Sequence, residues 1–258
     1  MPGAVHPIRK DARGIAQLLR MGWFRPVHCK SLPAQETRAL MAGRKLLQGK
    51  LLDLEFSIRG ILRGFGLKVG PVSKGRFVAR IREWTSGQPR LERVIEPMLR
   101  AREALSKEFH ALHRAMLDLV RKNSLCRRLM TAPGVGAVVA ITFTTAIDDP
   151  ARCRRSRAVG AQFGLTPKTY QSGETDVTGG ISKVGDGTVR VALSEAAKVI
   201  WTRSSRFSAR KRWAMGVAKR RGMKRATVAL ARKLAVVLHR MWLDGSEFRF
   251  GKEEAAAA

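Results

Sequence analysis

In LQGKLLDLEFSIRGILRGF, Leu47–Phe65, the apolar residues Leu47, Leu51, Leu54, Ile58, Ile61 and Phe65 return in alternating steps of four and three. That period is the seam of a heptad helix, narrower than the apolar face of a helix lying on a globular core. On its C-terminal side GFGLKVGPVSK, Gly64–Lys74, interrupts the pattern with glycines and a proline, a shorter helical piece runs Phe77–Trp84, and SGQP makes a turn. The seam then resumes at Leu91, Ile95, Met98, Leu105, Phe109, Leu112, Met116 and Leu119, with Arg102 in the slot that breaks it. Two heptad helices joined by a compact linker predict an antiparallel hairpin or pairing with a second copy, with Arg102 helping to fix the register. Residues 33–124 are therefore expected to form a coiled-coil helical hairpin whose role is spacing or dimerisation.

Upstream, Asp11 precedes a short helical pattern of Ile15, Leu18 and Leu19 that Gly22 and Pro26 end. Residues 1–32 are too few to bury a core of their own, so this stretch is expected either to be poorly ordered or to dock on the coiled coil. The charge of the whole chain is the stronger signal. In 258 residues, 50 Lys and Arg face 20 Asp and Glu, a formal +30, which points to a polyanion and first to nucleic acid. No apolar run approaches the roughly 20 residues of a spanning helix and no segment reads as a signal peptide, so a soluble intracellular protein without a membrane partner is expected. Cys29, Cys126 and Cys153 have no CxxC spacing and are read as reduced and structural, and His110 and His113 lack a third ligand beside them.

Downstream, LMTAPGVGAVVAITFTTAI, Leu129–Ile147, sets Gly134 and Gly136 in a turn between two apolar segments. Such a turn resembles a helix-hairpin-helix module, whose backbone N–H groups meet a DNA phosphate, although any tight turn between helices can use two glycines. Asp148, Asp149 and Pro150 carry the chemistry of a helix start, and a helix through CRRSRAVGAQFG is expected to close at Gly164. TPKTYQSGETDVTGGISKVGDGTVR, Thr166–Arg190, is a polar, glycine-rich interruption between helices, expected as a loop or small β-hairpin. Ser172 lies there with Lys168, Lys183 and Arg190 near in sequence, and Gly173, Gly179, Gly180, Gly185 and Gly187 are read as room for a ligand to approach the backbone. A hydroxyl among cations and exposed N–H groups suits a phosphate. From Arg203 to Lys233 there are twelve Lys or Arg and no acid. Part of this is solvated helix face around a stripe of Leu230, Leu234, Val237 and Met241; the cluster Lys219, Arg220, Arg221, Lys224 and Arg225 is read as a phosphate-contacting surface at a helix break.

The GVG turn, the DDP start, GLTPKTYQSGE and GGISKVGD, in that order, resemble the C-terminal domain of the bacterial insertion-sequence transposases that combine a DEDD nuclease-like domain with a serine domain, also called bridge-RNA-guided recombinases. The resemblance extends to the front of the chain, where IRKDARGIAQLLRMGWFRPVHCKS resembles the family's D-x-x-D-A-R segment, with Asp11 at the last acidic position and Ile8 where the preceding acid would stand. It implies a mainly α protein: residues 1–32 as a remnant of the nuclease-like domain, the coiled-coil hairpin 33–124, a helix-hairpin-helix-like serine domain 125–246, and a disordered tail 247–258. It implies Ser172 as nucleophile, Asp11 as an orphan of a Mg2+-binding acidic set, and DNA transposition and recombination as the activity. By the same resemblance the partners are double-stranded DNA of an insertion element, a guide RNA, and a second copy or a full-length transposase, in the bacterial cytoplasm at the nucleoid. With one of four acids in hand, the chain reads as N-terminally truncated and inactive alone; the alternative is a non-catalytic, DNA-binding or dimerising remnant that modulates a complete enzyme.

Overall fold

The computed structural model describes residues 7–24, 27–172, 175–203 and 209–250. The chain divides into two units, residues 1–31 and 32–258. In the first, helix α1 spans Pro7–Arg20. It stops where Gly22, at φ 69°, takes a left-handed turn, with the Trp23 amide donating to the Leu18 carbonyl at 2.9 Å; glycine accepts that turn because it has no Cβ to oppose it. Ile15, Leu18, Leu19, Trp23 and Phe24 are exposed. The stretch is helical, as the spacing of Ile15, Leu18 and Leu19 predicts, and Pro26 lies outside the described residues.

The second unit is mainly helical with one small antiparallel sheet. Helices α2 (Leu32–Gly64) and α4 (Pro89–Lys122) form an antiparallel hairpin. One register holds along it: Gly43 lies against Leu112, Arg44 bonds His113, and Glu55 pairs with Arg102. The seam departs from the heptad reading at its ends. Leu62 is fully buried and Phe65 is 62% exposed, because α2 closes in a glycine turn at Gly66 (φ 77°) whose Leu67 amide bonds back to Leu62, leaving Phe65 outside. In α4, Leu99 and Val120 are buried where Met98 and Leu119 were expected.

The linker is more than a turn. Val69 and helix α3 (Phe77–Thr85) fold over the far end of the hairpin, where Phe77 and Ile81 join Ile58, Leu62, Leu91, Ile95 and Leu99 in a separate apolar core. Between this core and the main one, the buried residue of α4 is Arg102, whose guanidinium meets Glu55 Oε1 at 2.6 Å and stacks on the Phe77 ring. An arginine in that slot ties one register, since sliding either helix would leave a buried charge alone.

The main core gathers around α6 (Ala137–Ile147), buried throughout from Val139 to Ile147. A helix apolar on every side belongs inside a bundle. Around it pack α5 (Ser124–Leu129), α8 (Gly187–Thr202) and the near ends of α2 and α4, and α10 (Met223–Asp244) packs against α8 and α5. The expected helix after Asp149 is instead two 3-10 turns, Pro150–Arg152 and Ser156–Ala158, then a short α7, Val159–Gln162. Asp149 does cap the first turn, through the Ala151 amide. Cys153 then turns inward, donating its thiol to Gln162 Oε1 at 2.6 Å, which takes the chain out of helical conformation. Burial pushes the Cys126 and Cys153 thiols up, keeping them protonated and structural.

Helix α9 (Ala209–Arg221) precedes α10, and the two meet at Gly222, φ 80°. Residues 247–250 are tied down: the Phe248 amide donates to Thr131 Oγ1 and its ring packs on the main core. The rest of the expected tail, 251–258, lies outside the described residues. No described helix is long and apolar enough to cross a membrane.

Candidate functional site

Thr166–Arg190 folds into a β-hairpin, β1 (Pro167–Ser172) and β2 (Thr175–Ile181), with Ser172 opposite Thr175 at its tip. Every residue of β1 is exposed. The register slips between Pro167 and Thr169, so β2 carries an extra residue at Gly179–Gly180, a bulge that glycine accommodates. Side chains alternate along a strand, so Lys168, Tyr170 and Ser172 share one face. Gly173 and Glu174 lie outside the described residues.

The root of this hairpin is where the glycines act. Gly164 ends α7 at φ 63°, and a Cβ there would lie 2.4 Å from the Val184 backbone; a Cβ on Gly185, at φ 77°, would lie 2.2 Å from the Gln162 carbonyl oxygen. Two backbone segments thus touch directly, so Gly185 makes room for chain against chain, not for a ligand. Arg190 completes the root by donating to the carbonyls of Phe163, Val184 and Gly185 at 2.9–3.1 Å. Asp186 caps α8 through the Thr188 and Val189 amides and takes a 2.6 Å ion pair from Arg38 of α2. Lys183 stands at φ 58° beside this joint.

The cations named from the sequence do not gather at the serine. Lys168 is four residues from Ser172, about 13 Å along a strand, and Lys183 and Arg190 belong to the root, about 17 Å from the tip. Gly134, at φ 76°, is pressed onto α8: a Cβ would lie 2.4 Å from the Ala196 carbonyl oxygen. That contact accounts for the glycine by packing, whereas Gly136 is exposed at the N-terminus of α6. Lys219, Arg220, Arg221, Lys224 and Arg225 are all exposed around the Gly222 break.

Asp11 is exposed on α1, and among the described residues no group of three or more His, Cys, Asp or Glu could hold a metal ion. The donors do not fit the Mg2+ site implied by the resemblance, so the chemistry of this chain is argued from its own side chains.

Two features escaped the sequence reading. His239 is fully buried on α10, with Nδ1 3.0 Å from the Ser156 hydroxyl and Nε2 3.0 Å from the Pro150 carbonyl. A carbonyl only accepts, so Nε2 carries a proton and the ring braces the two 3-10 turns. The second is a groove of 1170 Å³ between the hairpin root and the α9–α10 pair, with Trp213 and Arg157, Arg221, Lys224, Arg225, Arg232 and Lys233 on its walls. Its trace in the sequence is the row of pairs along α10.

Residues 126–214, which hold α6, the root, the hairpin and α8, match the Transposase IS116/IS110/IS902 family. Among similar proteins, the transposase for insertion sequence element IS1111A of Coxiella burnetii is 28% identical over 249 residues, covering 94% of this chain and 68% of that protein. The transposase for insertion sequence element IS1328 of Yersinia enterocolitica is 30% identical over 145 residues, 56% of this chain and 43% of that protein. The chain thus spans about two thirds of the first relative's length, and the matching part of the second is under half of it.

Proposed function

We propose that this chain is the DNA-handling part of an insertion-sequence transposase and that Ser172 is its nucleophile. The observation that carries the reading is the matched region, which contains the whole hairpin and its anchored root and ends it in an exposed serine. Ser172 Oγ bonds to the phosphorus of a DNA phosphodiester, the bond from phosphorus to one bridging sugar oxygen breaks, and that oxygen leaves with a proton. The Oγ proton passes to a base. The product is a strand esterified to serine and a free hydroxyl end; attack on that phosphorus by another strand's hydroxyl forms a new phosphodiester, breaks the bond to Ser172 Oγ and returns a proton to it.

A serine hydroxyl is a poor nucleophile at neutral pH, and the root cations are too far along the strand to activate it. Activation of the hydroxyl is therefore assigned to a group brought to the tip by a second chain, a further copy or a full-length transposase. The basic α9–α10 surface holds duplex DNA by phosphate contacts whose affinity falls steeply with salt.

The test is a covalent protein–DNA adduct on supercoiled DNA carrying the element's ends, with and without a full-length relative. The adduct is expected with the relative present and is absent for Ser172→Ala; an adduct that survives this substitution overturns the assignment. A second reading, a non-catalytic chain that binds DNA and dimerises with a complete transposase, is favoured by the distance of the root cations from Ser172. It predicts intact duplex binding and no adduct through this chain under any condition.

A further inference from the structure

Helix α10 reads as successive pairs: Lys224-Arg225, Ala226-Thr227, Val228-Ala229, Leu230-Ala231, Arg232-Lys233, Leu234-Ala235, Val236-Val237, Leu238-His239. Alternate pairs fall on the same face, since four residues make just over one turn. The second, fourth, sixth and eighth pairs are buried in the core. The first, third, fifth and seventh, cationic, apolar, cationic, apolar, line the groove. The cationic pairs lie eight residues apart, about 12 Å along the helix, with an apolar patch between them.

The opposite wall is the hairpin root, Pro167 and Gly179–Ile181, with Leu165 beneath. Trp213 of α9 is 37% exposed at the groove, and the Lys233 ammonium sits 3.5 Å from its ring centroid. Among the described residues no acidic residue lines the groove. Its volume exceeds the range of about 300–1,000 Å³ typical of small-molecule pockets.

We infer that this groove takes an unpaired segment of DNA strand, with bases laid on the apolar floor and Trp213 and phosphates along the two cationic pairs. A duplex presents phosphates and base edges, for which charge alone would serve. An aromatic ring and valines in a concave, wholly cationic wall match the base faces that only an unpaired strand exposes. The inference rests on the reading of Ser172 as nucleophile for the choice of DNA. The hairpin that carries Ser172 forms one wall, so a strand leaving the groove along β1 reaches the serine after about 17 Å, roughly five base steps at 3.4 Å each. The groove would thus hold bases about five nucleotides from the attacked phosphate, unpaired when strands exchange.

The test is polarisation binding of the full chain to a labelled single-stranded DNA, the same sequence as duplex, and the same sequence as RNA. Trp213→Ala and Trp213→Leu are expected to weaken single-stranded DNA binding about 5- to 150-fold, the range of a lost base stack, and duplex binding less than twofold. Trp213→Phe keeps a ring and should restore most of the affinity. Arg225→Ala should weaken both DNA forms and lower the salt slope by about one. Equal losses on single strand and duplex for the Trp213 variants, no loss at all, or tighter binding of the RNA would overturn the inference. Binding needs no chemistry, so its failure leaves the Ser172 adduct unaffected, and loss of the adduct assignment leaves the Trp213 measurement readable.

Discussion

Two hairpins leave the same helical body and are held in opposite ways. The helical arm, α2 with α4, carries its own apolar core at the far end and a buried Arg102–Glu55 pair between that core and the body. The β-hairpin has no such end: every residue of β1 is exposed, and its fixings are at the root, where Gly164, Gly185 and Arg190 lock two backbone segments together. A two-stranded ribbon by itself is marginal in water. The difference separates a strut from a finger: the first is braced along its length, and the second ends in an exposed hydroxyl.

The sharpest way to break this comparison is Ser172→Ala. It should abolish the protein–DNA adduct completely while leaving unfolding within about 0.5 kcal/mol of the parent, since the side chain is exposed. A large loss of stability would show that the tip is structural after all. In the strut, Arg102→Ala removes one partner of an ion pair whose side chains are 9% and 19% exposed, and should cost about 3 kcal/mol in urea unfolding. Replacing both Arg102 and Glu55 with leucine should recover most of that. If the single change costs nothing, the register is set by the apolar core alone.

Each arm also has a left-handed glycine, and the pair separates conformational strain from crowding. Gly66, at φ 77°, has open space where a Cβ would go; Gly185, at φ 77°, has the Gln162 carbonyl oxygen 2.2 Å away. Gly66→Ala should cost about 1 kcal/mol, and Gly185→Ala about 2 kcal/mol with lower hairpin protection in hydrogen exchange. Equal costs would mean that the root yields.

The strut was legible because heptad spacing is written in side chains, and the mainly α class with one small hairpin follows from the same periodicity and from the glycine-rich break at 166–190. What escaped it is long-range. Nothing local tells that Gly185 meets Gln162, that Arg190 bonds three carbonyls, or that Phe65 falls outside the turn while Leu62 goes in. Lys168, Lys183 and Arg190 are near Ser172 in sequence, yet a strand converts five residues into about 17 Å, so proximity along the chain became distance in space. Trp213 and Arg232 stayed hidden for a related reason: α10 has two working faces, and a single apolar stripe describes only the one turned to the core.

The two arms are joined by an ion pair between Arg38 on the strut and Asp186 at the root of the finger. Burial raises the Asp186 carboxyl, but the Arg38 bond, the Thr188 and Val189 amides and the attraction of Arg38 together outweigh it and hold it below the usual carboxylate range. A lowered folded-state value means that its contribution is fully present above the unfolded value of about 3.9 and fades as pH falls through the folded one. Arg38 is 37% exposed, so solvent screens the pair and the contribution is small, about 1 kcal/mol. Asp186→Asn keeps the helix cap, because asparagine caps as well as aspartate, and removes only the charge. Its melting temperature should lie below the parent's at about pH 6, with the two curves converging as pH falls below the unfolded value of about 3.9 and the parent's carboxyl is protonated. Curves that stay parallel over that range would mean that strut and finger are joined by packing, with the charge contributing nothing.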